Sequence, residues 1–304
     1  MIYTVTFNPA IDYVVRTSSL QIGETNRSEK EEIYYGGKGI NVSWVLNELG
    51  IPSVALGFVA GFTGAAIEQG VRAAGLQTDF IHLESGFSRI NVKIKAGEET
   101  EINGRGPHIS ESEIEALTEK LNRLEDGDTL VLAGSIPPTL PSDMYERILA
   151  CLEDRKIRFV VDATGDVLRA TLRFRPFLVK PNKRELEAFF DVTLDSREEL
   201  VQYARKMQEE GARNVLVSLG EEGAILVSEN GEVYSQTAYE GKLCNSVGAG
   251  DSMVAGFLAG MQKGDYETAL RLGTAAGSAT AFAEGLASKE EIEALYAPIF
   301  FLKG

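Results

Sequence analysis

Cysteine, histidine and tryptophan are nearly absent from this chain: its 304 residues include two, two and one of them. Cys151 and Cys244 stand far apart without metal-ligand spacing. That argues against a zinc site and a disulfide framework and leaves two thiols expected in or near the core. His82 and His108 sit beside no serine or cysteine in a nucleophile-like setting, so a hydrolase triad has little support; Trp44 reads as packing. Positive charge is scarce as well, with 30 Lys and Arg against 45 Asp and Glu and a net charge of −15. Nucleic acid and anionic membrane surfaces are not attracted to such a surface, so any basic residue that serves an anion must act locally. No apolar run reaches membrane-spanning length. Met1 leads directly into a strand at Ile2 to Phe7 with no signal-like segment, so a cytoplasmic, reducing setting is expected. Neither Walker A spacing nor a Gly-x-Gly-x-x-Gly after an early strand occurs, which removes the P-loop and nicotinamide readings.

Alternation of strands and helices dominates the remainder. Gly39 to Leu49 reads as an amphipathic helix closed by Gly50, and Ser53 to Val59 as an apolar strand. From Ile109 onward, helices over 111–124, 142–153, 163–172 and 196–210 alternate with strands over 129–133, 157–161, 177–179 and 214–219. A hairpin over 224–235 and helices over 251–262, 266–284 and 289–295 complete the pattern. Such alternation predicts an α/β fold with a mainly parallel sheet covered by helices on both faces. Two segments do not fit that sheet. Ile11 to Tyr35 is too charged on alternate residues to be a buried strand, and Ser88 to Ile102 alternates apolar and polar residues around Gly97 as a half-exposed hairpin. Together they predict a small, discontinuous β appendage over about 11–35 and 89–102 of a single domain spanning 1–304.

Ligands of open α/β sheets bind beyond the carboxyl ends of the strands. Asp12, Gly134-Ser135, Asp162, Lys180-Pro181-Asn182 and Ser218 to Gly220 each follow a predicted strand, so they point to one long site. Within it, Asn245-Ser246-Val247-Gly248-Ala249-Gly250-Asp251-Ser252 opens a helix. A glycine-rich helix start gathers unpaired N–H groups and the positive end of the dipole, which suits a phosphate. Asp251 at that point is either a helix cap or a catalytic acid–base group. Gly36-Gly37-Lys38-Gly39-Ile40-Asn41 adds a second glycine turn with a cation and an amide, although a flexible loop with a solvated lysine has the same pattern. Asn182 and Glu185 at a helix start are either a capping box or groups turned toward a hydrated magnesium ion.

Taken in order, Asn8-Pro9-Ala10-x-Asp12, Gly36-Gly37-Lys38-Gly39-x-Asn41, Lys180-Pro181-Asn182-x-x-Glu185, Ser218-Leu219-Gly220 and Val247-Gly248-Ala249-Gly250-Asp251-Ser252 resemble the ribokinase-like (PfkB) carbohydrate kinases. The resemblance covers essentially the whole chain and implies a three-layer α/β/α sandwich with a small β-sheet lid that pairs two subunits. It implies an ATP- and magnesium-dependent kinase acting on a sugar phosphate. Ser88-Arg89-Ile90-Asn91-Val92-Lys93 is similar to the family branch that phosphorylates fructose 1-phosphate at O6; tagatose 6-phosphate and fructose 6-phosphate are the alternative acceptors. A catalytically silent sugar-phosphate or nucleotide sensor on the same fold is the non-enzyme alternative.

The resemblance also assigns roles. Asp251 would be the general base, ionised by the helix dipole, with backbone N–H groups of Ala249, Gly250 and Asp251 forming the anion hole after the turn at Gly248. Asp12, Gly37 and Asn41 would hold the sugar, and Lys38 and Arg89 its existing phosphate, with Arg27 and Arg105 as further candidates. ATP would lie along Lys180, Asn182, Ser218, Gly220, Gly223, Ser246 and Gly250. Magnesium would sit near Glu185 and Asp162, partly through water.

Overall fold

Apolar runs such as Thr129–Ala133, buried along their whole length, can be accommodated only where both faces of a sheet are covered. The computed structural model describes residues 1–296. Strands β1 (Ile2–Thr6), β2 (Ala10–Arg16) and β3 (Lys30–Gly36) lead to helix α1 (Lys38–Glu48). They are followed by β4 (Ser53–Ala60), α2 (Gly61–Ala73), β5 (Gln77–Thr78), β6 (Ile81–Leu83) and the hairpin of β7 (Arg89–Ala96) with β8 (Glu98–Asn103). Next come α3 (Glu111–Leu121), β9 (Thr129–Ala133), α4 (Met144–Leu152), β10 (Arg158–Asp162), α5 (Gly165–Thr171), β11 (Leu178–Val179), α6 (Lys183–Phe190) and α7 (Arg197–Glu209). The described chain closes with β12 (Asn214–Ser218), β13 (Ala224–Val227), β14 (Val233–Gln236), α8 (Ala249–Lys263), α9 (Tyr266–Phe282) and α10 (Lys289–Tyr296).

The main sheet has the order β14-β13-β12-β11-β10-β9-β1-β4-β5, with β6 beside β4. Its pairs from β12 across to β5 are parallel, and only β13 and β14 join it antiparallel. One apolar core packs helices α3 to α7 on one face; a second packs α1, α8, α9 and α10 on the other. This is the expected three-layer α/β/α sandwich. Strand order reverses at β1, which lies between β9 and β4, so a crevice opens at the ends of these strands. Helices α8 and α9 approach closely through small residues: a side chain at Gly256 would meet the Leu272 carbonyl oxygen at 2.6 Å, and one at Gly260 would meet the Ala269 Cα at 2.5 Å. That tight pair holds the start of α8 against the crevice.

Beside it stands a separate four-stranded sheet, β3-β2-β7-β8. Side chains alternate between its faces. Asp12, Asn91 and Lys93 therefore share the face toward the crevice, while Tyr13, Ile33, Val92 and Ile102 share the other. Ile33 and Ile102 on that outer face are exposed.

Two expectations are corrected here. Helix α2 had no counterpart in the sequence reading, which assigned no element between Val59 and Ser88; the helix carries three glycines, Gly61, Gly64 and Gly70. The packing requires two of them: a Cβ at Gly64 would lie 3.0 Å from Val59, and one at Gly70 would lie 2.1 Å from the Tyr35 ring, so glycine lets the helix pack closely. Cys151 and Cys244, expected in or near the core, are both exposed. Cys151 falls on the outward side of α4, whose inward positions are Met144, Tyr145, Ile148, Leu149 and Leu152. Among the described residues, no helix is long and apolar enough to cross a membrane.

Candidate active site

The crevice contains a cavity of about 390 Å³ that brings together Asp12, Gly37, Lys38, Asn41, Arg89, Asp162, Lys180, Asn182, Glu185, Ser218, Ser246, Gly248, Gly250 and Asp251. Most of the residues singled out from sequence thus meet in one place, although they come from seven elements and from the connections before α1, α6 and α8. Gly134 and Ser135 line a neighbouring cavity together with Lys38 and Asp162.

Each wall has a local cause. Helix α1 begins at Gly37, where φ is +130° and a Cβ would lie 2.5 Å from Thr6 Cγ2. The Ile40 N–H donates to Thr6 Oγ1 at 3.0 Å, so the helix start is fastened to the end of β1. Helix α8 begins at Gly248, which is left-handed at φ +80°. A side chain there would strike Leu286 Cδ2 at 2.6 Å, and one at Gly250 would meet Lys180 Nζ at 3.0 Å. Bare backbone is therefore the surface that these two turns present to the cavity, next to the Lys180 ammonium.

Asp251 is buried in the first turn of α8 and accepts a hydrogen bond from Asn41 Nδ2 at 2.8 Å. Burial, and next the charge of nearby Asp162, push its carboxyl up to about 7; the Asn41 hydrogen bond and Lys38 and Lys180 oppose this. The expectation that the helix dipole keeps this group ionised is corrected: burial and the Asp162 charge bring it to the edge of protonation near neutral pH. A carboxyl poised near neutrality is well suited to receive a proton.

Asp162, at the end of β10, behaves in the opposite way. Its Oδ2 lies 3.1 Å from Lys38 Nζ and its Oδ1 lies 3.5 Å from Lys180 Nζ. Burial alone would raise it, but Lys180 and Lys38 outweigh burial and hold it below the usual carboxylate range. Lys38 is raised in return: burial works against its charge, and Asp162 followed by Asp251 overcomes that. Arg89 donates through Nε to the Asn8 carbonyl at 3.0 Å.

Asn182 and Glu185 form a reciprocal capping box at the start of α6, with both bonds at 2.8 Å. They also line the cavity, so the cap does not take them away from it. Among the described residues there is no cluster of three or more histidine, cysteine or acidic groups that could cage a metal. With Asp162 engaged by two lysines, the donor set fits a largely hydrated ion held by one carboxylate and substrate phosphates rather than an all-protein cage.

Four proposed positions lie apart from this cavity. Gly220 and Gly223 occupy the turn after β12, both at positive φ. Arg105 lines an adjoining cavity of about 460 Å³ that it shares with Arg89 and His108. Arg27 is exposed in the connection between β2 and β3. Ala249 sits in the turn itself, between Gly248 and Gly250. Sequence reasoning overlooked Asn91 and Lys93. The period-two pattern from Arg89 already put residues 89, 91 and 93 on one face, and that was the available signal.

The family model for "pfkB family carbohydrate kinase" matches residues 3–293. The chain belongs to that family of carbohydrate kinases. The kinase is 48% identical over 296 residues to the 1-phosphofructokinase of Bacillus subtilis, covering 97% of each chain. It is 37% identical over 295 residues to the D-tagatose-1-phosphate kinase of Bacillus licheniformis, covering 96% of each. Among solved structures, phosphofructokinase-2 from Escherichia coli in complex with substrates and products superposes with a TM-score of 0.92 at 28% identity, covering 97% of this chain and 98% of that one. As a carbohydrate kinase it transfers a phosphoryl group to an alcohol, and the arrangement of Asp251 beside an exposed helix start suits that chemistry.

Proposed function

We propose that the kinase transfers the γ-phosphoryl group of ATP to O6 of D-fructose 1-phosphate, giving fructose 1,6-bisphosphate and ADP. The observation that carries this reading is Asp251, buried at the start of α8, pushed up to about 7 and sharing one cavity with Lys38, Lys180 and Arg89. Asp251 takes the proton from the O6 hydroxyl as the O6–P bond forms and the bond from phosphorus to the ADP oxygen breaks; the proton then passes to solvent. Phosphoryl transfer is largely positioning and electrostatic stabilisation. The N–H groups of Ala249, Gly250 and Asp251, with Lys180 beside them, supply fixed positive potential where charge builds up. Lys38 and Arg89 face the phosphate already on the sugar, while Asp12 and Asn41 accept and donate to its hydroxyls.

ATP extends along Lys180, Asn182, Ser218 and Ser246 toward the turn of Gly220 and Gly223. Glu185 would hold a magnesium ion, which would supply charge neutralisation at the phosphates. The small sheet serves as a lid, and its outer apolar face, with Ile33 and Ile102 exposed, pairs two subunits through a surface that water would otherwise cover. Arg27 and Arg105 are second-rank phosphate contacts, and the setting is cytoplasmic.

The deciding assay is ADP release with ATP and Mg²⁺ against fructose 1-phosphate, fructose 6-phosphate, tagatose 1-phosphate, tagatose 6-phosphate and fructose, compared by kcat/KM. Preference for fructose 1-phosphate supports the reading. Preference for a tagatose phosphate keeps the chemistry and changes the sugar, activity only on fructose removes the phosphate pocket, and silence on all five favours a sensor.

A further inference from the structure

Resting on the kinase reading above, we infer that Asn91 and Lys93 are positioning residues that orient the Asp12 carboxylate, and through it set which epimer of a ketose phosphate the site accepts. Strands β2 and β7 run parallel with Asp12 opposite Asn91 and Val14 opposite Lys93. That register puts Asp12, Asn91 and Lys93 on one face of the small sheet. Asn91 Nδ2 donates to Asp12 Oδ1 at 2.8 Å, and Lys93 Nζ lies 3.5 Å from Asp12 Oδ2. One oxygen of the carboxylate thus accepts a hydrogen bond and the other faces an ammonium, and together they favour one plane of the group. Lys93 is itself tied down, 3.5 Å from Glu101 of β8.

Asn91 and Lys93 are more than nine-tenths buried, at 7% and 8% exposure. A buried lysine spanning two carboxylates is not a solvated surface charge. The asparagine shows where its amide is used: Nδ2 goes to Asp12, while Oδ1 is buried with no partner. The amide orientation follows from chemistry, since an ionised carboxylate only accepts. Leaving one end of a buried amide unpaired is unfavourable, and such departures concentrate at functional sites.

The consequence is stereochemical. Each carboxylate oxygen has lone-pair directions to spare after accepting one donor. With its plane held, Asp12 can accept from adjacent sugar hydroxyls in one relative configuration and meets the other poorly. A site built to bond a hydroxyl discriminates strongly, provided that its own groups cannot turn to follow the wrong ligand. Fructose and tagatose phosphates differ in the configuration of one such hydroxyl and are the natural probes.

The experiment is a double-mutant cycle on the full chain, measuring kcat/KM for fructose 1-phosphate and tagatose 1-phosphate together with the KM for ATP. Lys93→Met should reduce the ratio between the two epimers about tenfold and leave the KM for ATP within about twofold. In an Asp12→Asn background the same substitution should move the ratio less than about twofold, because the oriented group has gone. An unchanged ratio with Lys93→Met, or a change of equal size without the Asp12 carboxylate, would overturn the inference. Asn91→Ser carries the same cycle if Lys93→Met does not fold, and Lys93→Arg should restore most of the ratio. If the protein turns over no ketose phosphate, the reading in the previous subsection falls. Calorimetric binding of the two sugars in the same cycle then decides this one, and absence of coupling overturns it.

Discussion

The strand-end wall of the cavity and its helix-end wall each present one buried aspartate, and the two are driven in opposite directions. Asp162 has a lysine at 3.1 Å and another at 3.5 Å. Asp251 has an amide at 2.8 Å and, as its electrostatic neighbours, those same lysines and the Asp162 charge. Burial is common to both, so it decides nothing by itself; directly apposed opposite charge decides. Asp162 is a fixed anion that locks Lys38 and Lys180 together, while Asp251 remains free to exchange a proton.

Replacing each aspartate by asparagine separates these roles. Asp251→Asn should lower kcat by about three orders of magnitude with the KM for ATP little changed, and steady-state kinetics will show it. Its stability should not suffer. A carboxyl whose folded-state pKa is raised contributes stability that is fully present below its unfolded value, about 4, and is lost as pH rises through about 7. A neutral amide at this position removes that loss, so the melting temperature of the variant at pH 8 should equal or exceed that of the unsubstituted protein.

Asp162→Asn should do the reverse. Leaving two lysines without their buried anion should cost about 3 kcal/mol, read as a lower denaturation midpoint. Because the folded-state pKa of Asp162 is depressed, its contribution is present above the unfolded value and disappears only as pH falls through the folded one. A melt lowered equally in both variants would dissolve the contrast.

Arg89→Ala is the control from the third wall, the small sheet. It should raise the KM for the sugar phosphate about a hundredfold without moving the pH profile, since it touches neither aspartate. The smallest effect sharpens the comparison most. For the unsubstituted kinase, kcat/KM should fall about tenfold per unit as pH drops below about 7. In Asp162→Asn that limb should move to lower pH, because the charge raising Asp251 is gone while the lysines remain.

Much of this molecule was legible in one dimension. Continuous apolar runs flanked by glycine marked the parallel strands, because a strand covered on both faces has no polar alternation to confuse the reading. Strand 129–133 coincides with the observed β9. Glycine turns followed by helical periodicity located the starts of α1 and α8, because glycine permits the turn that opens each helix and leaves its first N–H groups uncovered. Helix α2 was illegible, since its glycines answer to Val59 on the preceding strand and to Tyr35 on the small sheet, contacts that no helical period records. The placement of Asn91 and Lys93 was equally hidden: alternation shows that two residues share a face but not which face meets the site.

Sequence by itself therefore determined the fold class and the residue types available for phosphoryl transfer, because periodicity and backbone-turn chemistry are local properties. Tertiary structure alone decided that Asp162 would be clamped, Asp251 poised and Asp12 held between an amide and an ammonium. Those outcomes depend on distances between groups far apart along the chain and on the exclusion of water around them, and neither is written in any local pattern.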